Sequence, residues 1–263
     1  AVFNTDLRKE ALPAGQTAGR DELQESQALS GEMIDPFMVK GDWIKAGLPE
    51  QPYGIKNDKA GPYPGWINAG SVTAYGYYGQ DCTVKEKIIP ADIETPAGAR
   101  QTELSMGTRL FVFEEIGREK LRVILPQGRA ALVDKESVVC TDRVPSGRAL
   151  RKAVLETARK FIGDKYYWGG RSGKGVDCSG LVGLSLRVFG IDVPRNADDQ
   201  FAVSEKISKG KMLPGDLIFT SLKNEYDKIN SELFEKIYKN QEIERLVIDS
   251  FNCFFSAAIN HSV

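Results

Sequence analysis

The residue best placed to do chemistry is Cys178, in the stretch Lys165-Tyr-Tyr-Trp-Gly-Gly-Arg-Ser-Gly-Lys-Gly-Val-Asp-Cys-Ser-Gly-Leu-Val182. Glycines cluster before it, and an apolar run with helical spacing follows, so the cysteine is expected to open a helix over Ser179 to Phe189. A thiol at a helix N-terminus meets the positive end of the peptide dipoles, which favours the nucleophilic thiolate. The N–H groups of the same turn can stabilise the oxyanion that forms when a thiolate attacks a peptide carbonyl. The glycines would let a substrate backbone approach closely. The competing role for Cys178 is that of a small buried hydrophobe.

Several elements must hold that residue in place. Ahead of it, Leu150, Val154, Leu155, Ala158, Phe161 and Ile162 recur at helical spacing, with Gly163 as a natural stop. Behind it, a third helix is expected from about Asn196 to Ile207, followed by a strand at Asp216-Leu-Ile-Phe-Thr220. Helices followed by strands make an α+β unit.

Between Asp6 and Val139 short apolar runs are broken by Gly and Pro, which predicts an all-β region. A weak repeat lies within it. Leu29-Ser-Gly-Glu-Met33, Gly41-Asp-Trp-Ile-Lys45, Leu48-Pro-Glu-Gln51 and Gly65-Trp-Ile-Asn-Ala-Gly-Ser-Val72 are followed in the same order by Met106-Gly-Thr-Arg-Leu110, Glu119-Lys-Leu-Arg-Val123, Leu125-Pro-Gln-Gly128 and Ala131-Leu-Val-Asp-Lys-Glu-Ser-Val138. The offset is 77 at the Leu-Pro pair and 66 at the Ser-Val pair, so the first copy carries about 11 extra residues between Gln51 and Pro64. Their Gly, Pro and Tyr content predicts a loop.

The bulk composition excludes several classes. With 35 basic and 36 acidic residues and no Lys/Arg cluster, no nucleic-acid partner is expected. No window approaches the apolar length of a membrane helix, and residues 1–10 lack a signal-peptide layout. The chain begins with Ala, which fits signal removal or a boundary within a longer chain, so envelope, secreted and cytoplasmic locations stay open. Cys82, Cys140, Cys178 and Cys253 are too scattered for a disulfide scaffold or a zinc knuckle, so no metal is expected. Cys82 and Cys140 read as isolated thiols, with pairing in an oxidising compartment as the alternative.

Two family resemblances rest on these residues. Asp6-Leu-Arg8, Gly41-Asp-Trp-Ile-Lys45 and Gly65-Trp-Ile67 resemble bacterial SH3 (SH3b) domains, more closely in the first copy than in the second. Tyr166-Tyr-Trp-Gly-Gly170, Asp177-Cys-Ser-Gly-Leu-Val182, Val193-Pro-Arg-Asn196 with Gln200, and Leu213-Pro-Gly-Asp-Leu-Ile-Phe219 resemble four ordered elements of the NlpC/P60 family of cell-wall cysteine peptidases. The resemblance implies two SH3-like barrels, over 1–75 and 76–144, and an α+β papain-like peptidase domain over 145–263. It implies hydrolysis of peptidoglycan stem peptides at γ-D-glutamyl bonds by a monomer with no cofactor. In relatives with this domain order the first barrel walls off one end of the cleft and selects a free N-terminal L-alanine. Asp177 and Ser179 would help bind that amine and Tyr166 would line its pocket, although packing is an equal role for Tyr166, Tyr167 and Trp168.

Such a peptidase needs a histidine base and a third polar group. The chain has one histidine, His261, 83 residues beyond Cys178 and much farther along than the family places it. In one alignment Phe234-Glu-Lys-Ile-Tyr238 takes the histidine's strand, Asp249 on the next strand is the third residue, and the base is missing, leaving a peptide-binding pseudoenzyme. In the other, an insertion over Ser221 to Ala258 precedes Ile259-Asn-His-Ser-Val263, and His261 is the base. Both alignments are open on the sequence.

Overall fold

The computed structural model of the chain describes residues 4–13, 21–74, 79–96, 98–219 and 256–258. Five antiparallel strands come first: β1 (Asn4–Arg8), β2 (Gln24–Leu29), β3 (Asp35–Lys40), β4 (Trp43–Tyr53) and β5 (Gly61–Asn68), in the sheet order β2-β1-β5-β4-β3. Leu7, Ala28, Leu48, Tyr63 and Ile67 fill its core. Seven more strands follow: β6 (Cys82–Val84), β7 (Ile88–Thr95), β8 (Gly98–Ser105), β9 (Arg109–Ile116), β10 (Lys120–Leu125), β11 (Arg129–Asp134) and β12 (Val138–Cys140), ordered β12-β6-β9-β10-β11-β7-β8. Strict alternation in Lys120–Leu125 buries Leu121, Val123 and Leu125 on one face, as the period of a strand requires.

The repeat is visible locally. The hairpins β4-β5 and β10-β11 occupy equivalent places, and short 3-10 turns at Ala69–Ser71 and Lys135–Ser137 precede Val72 and Val138. The extra residues are a loop only over 54–60. They lengthen β4 to Tyr53, with a register shift between Leu48 and Pro52, and close through a 3-10 turn at Ile55–Asn57 before β5 begins at Gly61. Pro52 and Tyr53 keep pairing across the hairpin to Pro62 and Gly61, which overrides the turn-forming composition.

Cys82 and Cys140 form a disulfide, correcting the expectation of isolated thiols. The chain topology explains the pairing. β6 and β12, the first and last strands of the second sheet, lie side by side with Cys140 directly opposite Cys82, although 58 residues separate them.

The remaining elements are α1 (Gly147–Arg159), the small hairpin β13 (Arg171–Ser172) and β14 (Gly175–Val176), α2 (Cys178–Arg187), α3 (Ala197–Val203), and β15 (Asp216–Ile218) paired antiparallel with β16 (Ser256–Ala258). α3 is shorter than the sequence suggests because Ser204 turns to extended backbone, its hydroxyl bonded to the Gln200 carbonyl. α1 and α2 pack on each other around Val154, Ala158, Phe161, Leu181 and Leu184. That cluster also takes in Leu29 from the first sheet and Met106 from the second. No helix among the described residues is long and apolar enough to cross a membrane.

Polar contacts fix the docking. The Arg171 guanidinium lies 2.7 Å from Glu32, whose side chain is fully buried. Arg187, at the end of α2, bonds Glu50 of the first sheet, the Gly107 carbonyl of the second, and Asp192. A Cβ at Gly173 would lie 1.7 Å from the Lys87 carbonyl oxygen, so the β13-β14 turn touches the second sheet at a position only glycine can fill.

Two outcomes follow for stability. Removing the cross-link with Cys82→Ser and Cys140→Ser together should cost about 2–4 kcal/mol in denaturant titrations. Reduction of the denatured wild type should release two additional thiols. Burial pushes the Glu32 carboxyl up, but the charges of Arg171 and Arg187 outweigh it and hold the group below its ordinary value. Its contribution is therefore present above the unfolded carboxyl value and is lost as pH falls through the lower folded one. Glu32→Gln should be less stable than wild type by about 3 kcal/mol at pH 7, and the gap should narrow on acidification in equilibrium unfolding.

Candidate active site

Cys178 is the first residue of α2 and is 8% exposed. The turn that carries it is held by Asp177, whose extended backbone ends the preceding strand and whose Oδ1 accepts the Gly180 N–H at 2.7 Å as the helix N-cap. Arg195, 2% exposed by its side chain, grips the cap from the far side of α2: Nη2 donates to Asp177 Oδ2 at 2.7 Å and Nη1 to Asp177 Oδ1 at 3.1 Å. Nη1 also donates to Ser179 Oγ at 2.9 Å, and the Ser179 hydroxyl donates to Asp177 Oδ1 at 3.2 Å. The Asp177 carboxylate is thus shared among three groups of the protein itself. Gln200 on α3 donates to the carbonyls of Ser179 and Pro194. The first turn of α2 is braced by Arg195 and by Gln200.

Tyr166 brings its hydroxyl to 4.0 Å from the Cys178 sulfur. Arg195 is within electrostatic range of the same sulfur and of the Tyr63 hydroxyl. Burial opposes the charge on Arg195, and Asp177 outweighs it, keeping the guanidinium firmly protonated. Tyr63, on β5, donates to Glu25 on β2 at 2.9 Å. Burial and the Glu25 charge push its phenol well above the ordinary tyrosine value. An acid and a phenol of the N-terminal sheet therefore stand beside the peptidase-like residues.

The glycines before the cysteine have a different role from the one the sequence suggests. A Cβ at Gly170 would lie 2.7 Å from the carbonyl oxygens of Tyr167 and Gly175, and one at Gly169 would lie 2.6 Å from Gln24 Cγ. The space beside them is taken by the protein's own backbone and by the first sheet, not left for a substrate. They allow α2, its approach loop and the N-terminal sheet to close on one another.

Of the residues expected to act, Cys178, Asp177, Ser179 and Tyr166 come together here. His261 and Asp249 lie outside the described residues, as do Phe234-Glu-Lys-Ile-Tyr238 and Cys253. The backbone of β16 runs beside β15, so a strand from just before His261 is the partner of the Asp216-Leu-Ile strand. Arg195 and Gln200 were visible as parts of a motif, but their tasks were not. Nothing in the sequence marked Ser26, whose partner in the site lies 169 residues away. Among the described residues, no group of three or more His, Cys, Asp or Glu side chains could hold a metal ion.

Residues 163–245 match the NlpC/P60 family. The chain carries an NlpC/P60 family domain. It is 30% identical over 204 residues to a γ-D-glutamyl-L-lysine dipeptidyl-peptidase of Bacillus cereus, covering 74% of this chain and 59% of the relative. It is 28% identical over 202 residues to the Bacillus subtilis protein of the same name, covering 76% and 64%. The chain thus spans about three-fifths of the length of these curated relatives. A crystal structure of an NlpC/P60 family protein from Bacillus cereus superposes with a TM-score of 0.69 at 28% identity, covering 78% of this chain and 68% of that one. The braced cysteine lies within the matched residues, in a fold shared with that structure.

Because Asp177 and Arg195 are buried together, removing one charge should cost far more than removing both. Arg195→Met is expected to destabilise the chain by about 3–5 kcal/mol, and Asp177→Asn in the same background should recover part of that loss, since Asn still caps the Gly180 amide. A double-mutant cycle in denaturant measures the coupling, and additive effects would contradict the geometry.

Proposed function

We propose that the chain hydrolyses short peptidoglycan-derived stem peptides at γ-D-glutamyl bonds to a diamino acid, with Cys178 as nucleophile and His261 as general base. The observation that carries this reading is the buried thiol at the first position of α2, with its cap fixed by Arg195 and Tyr166 beside the sulfur. The relatives' names supply the bond type. The pairing of β16 with β15 supports the alignment in which an insertion precedes the strand of His261. Asp249 takes no step in this scheme.

The thiolate attacks the γ-carbonyl carbon, and the negative charge moves to the carbonyl oxygen at the positive end of α2. As that intermediate collapses, the carbon–nitrogen bond breaks and the protonated histidine delivers a proton to the leaving amine, giving a thioester on Cys178. Water, deprotonated by the neutral histidine, then attacks the thioester carbonyl and releases the acid and the thiolate.

In this reading residues 1–75 and 76–144 are SH3-like barrels and 145–263 the peptidase domain. The first barrel closes one end of the cleft, so small recycled peptides with a free N-terminal L-alanine are the substrates. Asp177 and Ser179 shape the amine-side wall, because the carboxylate of Asp177 is already engaged by Arg195 and Gly180. Glu25 of the first sheet, hydrogen-bonded by Tyr63 and ion-paired with Lys9, adds negative charge on that side.

L-Ala-γ-D-Glu-L-Lys and the diaminopimelate analogue, followed by mass spectrometry, test the reading. Release of L-Ala-D-Glu is expected, with losses of about a thousandfold or more for Cys178→Ala and about a hundredfold or more for His261→Ala. Saturable peptide binding without any cleavage by the wild type would replace the hydrolase with a binding protein. Full activity in His261→Ala would remove that residue from the scheme.

A further inference from the structure

The first sheet does more than stand beside the cleft. Ser26, on β2 and fully buried, accepts from Arg195 Nε at 2.7 Å and donates to Gln51 Oε1 at 2.6 Å. Gln51 in turn donates to the Gln27 carbonyl and to Glu32. The Arg195 backbone N–H donates to the Pro52 carbonyl at 2.9 Å. A few residues on, Asp199 of α3, 1% exposed, accepts the backbone N–H groups of Gly54 and Lys56 at 2.9 Å each, and Lys56 pairs with Asp198. Pro52, Gly54 and Lys56 belong to the segment that the first copy of the repeat has and the second lacks, and Gln51 immediately precedes it. The extended hairpin is thus the part of the first sheet that grips the Arg195–Asp199 segment.

We propose that Ser26 is a positioning residue for Cys178, acting through Arg195, and that the Gln51–Lys56 segment holds the first sheet and the Arg195–Asp199 segment in the register this contact needs. The inference rests on the reading of Cys178 as a nucleophile. Arg195 has its three guanidinium nitrogens committed: Nε to Ser26, Nη1 and Nη2 to Asp177 and Ser179. The serine oxygen therefore fixes the plane of the guanidinium, and that plane fixes the cap of α2 and the place of its charge relative to the sulfur. Tyr166 from the approach loop lies 4.0 Å from the sulfur, Arg195 is within electrostatic range of it, Asp177 precedes it as the helix cap, and Tyr63, bonded to Glu25 on the first sheet, interacts with Arg195. Arg195 is the cation among them, so loosening it leaves Asp177 less compensated and disfavours the thiolate.

The test is the pH profile of Cys178 alkylation by iodoacetamide on the intact chain, scored by peptide mapping so that other thiols do not interfere. Ser26→Ala should slow labelling by about three- to tenfold near pH 6, the equivalent of a thiol pKa raised by about half to one unit, with the rates converging above the thiol pKa where both proteins are ionised. A purely structural loss lowers the melting temperature without moving that profile. If Ser26→Ala does not fold, Asp199→Asn, which weakens the grip on Gly54 and Lys56, is read in the same way. Low-pH labelling unchanged or faster in the folded variant overturns the inference while leaving the hydrolase reading intact. A wild-type Cys178 that labels at pH 6 no faster than a simple thiol overturns both.

Discussion

The site depends on one buried ion pair, Arg195 with Asp177. Burying two charges carries a desolvation cost that their attraction offsets only when geometry is good and the remaining hydrogen bonds are made. Here the cost is met by satisfying every guanidinium nitrogen and by giving each carboxylate oxygen an arginine N–H, with Gly180 and Ser179 sharing Oδ1. A pair of this kind adds little net stability compared with apolar packing. What it supplies is direction: the cap, the first turn of α2 and the cysteine that opens it are held in one arrangement.

The same solution recurs wherever the α+β elements meet the sheets. Arg171 reaches Glu32, Arg187 reaches Glu50 and the Gly107 carbonyl, and Arg195 reaches Ser26. Leu29 and Met106 add apolar contact at the junction. Apolar contact alone tolerates sliding, since it is not directional, whereas a planar guanidinium shared between two units is not satisfied in a neighbouring register. Three such arginines turn a chain of small units into a body whose parts have one relative orientation.

What the sequence made legible follows from how local each signal is. The start of α2 could be read because the change from glycines to apolar periodicity takes place within a few residues. The β hairpins could be read because alternation is a property of a single strand. The Cys82–Cys140 bond was misjudged because its partners are 58 residues apart and meet only through the closure of the second sheet. Between Gln51 and Pro64, Gly, Pro and Tyr mark the turn over 54–60, while the pairing of Pro52 and Tyr53 with β5 and the hydrogen bonds to α3 are long-range and leave no local mark. For the glycines before Cys178, composition shows that something comes close, and only the fold shows that Gln24, Tyr167 and Gly175 come close.

An acid as the cap beside a thiol works against the thiolate, because a carboxylate near the sulfur opposes it, and burial at 8% exposure opposes it further. Asp177 is nevertheless a strong helix cap, and without a cap the amides of the first turn would lack the fixed orientation on which oxyanion stabilisation depends. Arg195 resolves the conflict. It cancels the charge of Asp177 at 2.7 Å while leaving the carboxylate free to accept the Gly180 amide. The sulfur then meets the aligned peptide dipoles of α2 with the local acid neutralised, and the arginine that neutralises it is held from outside the helical unit, by a serine on the first sheet.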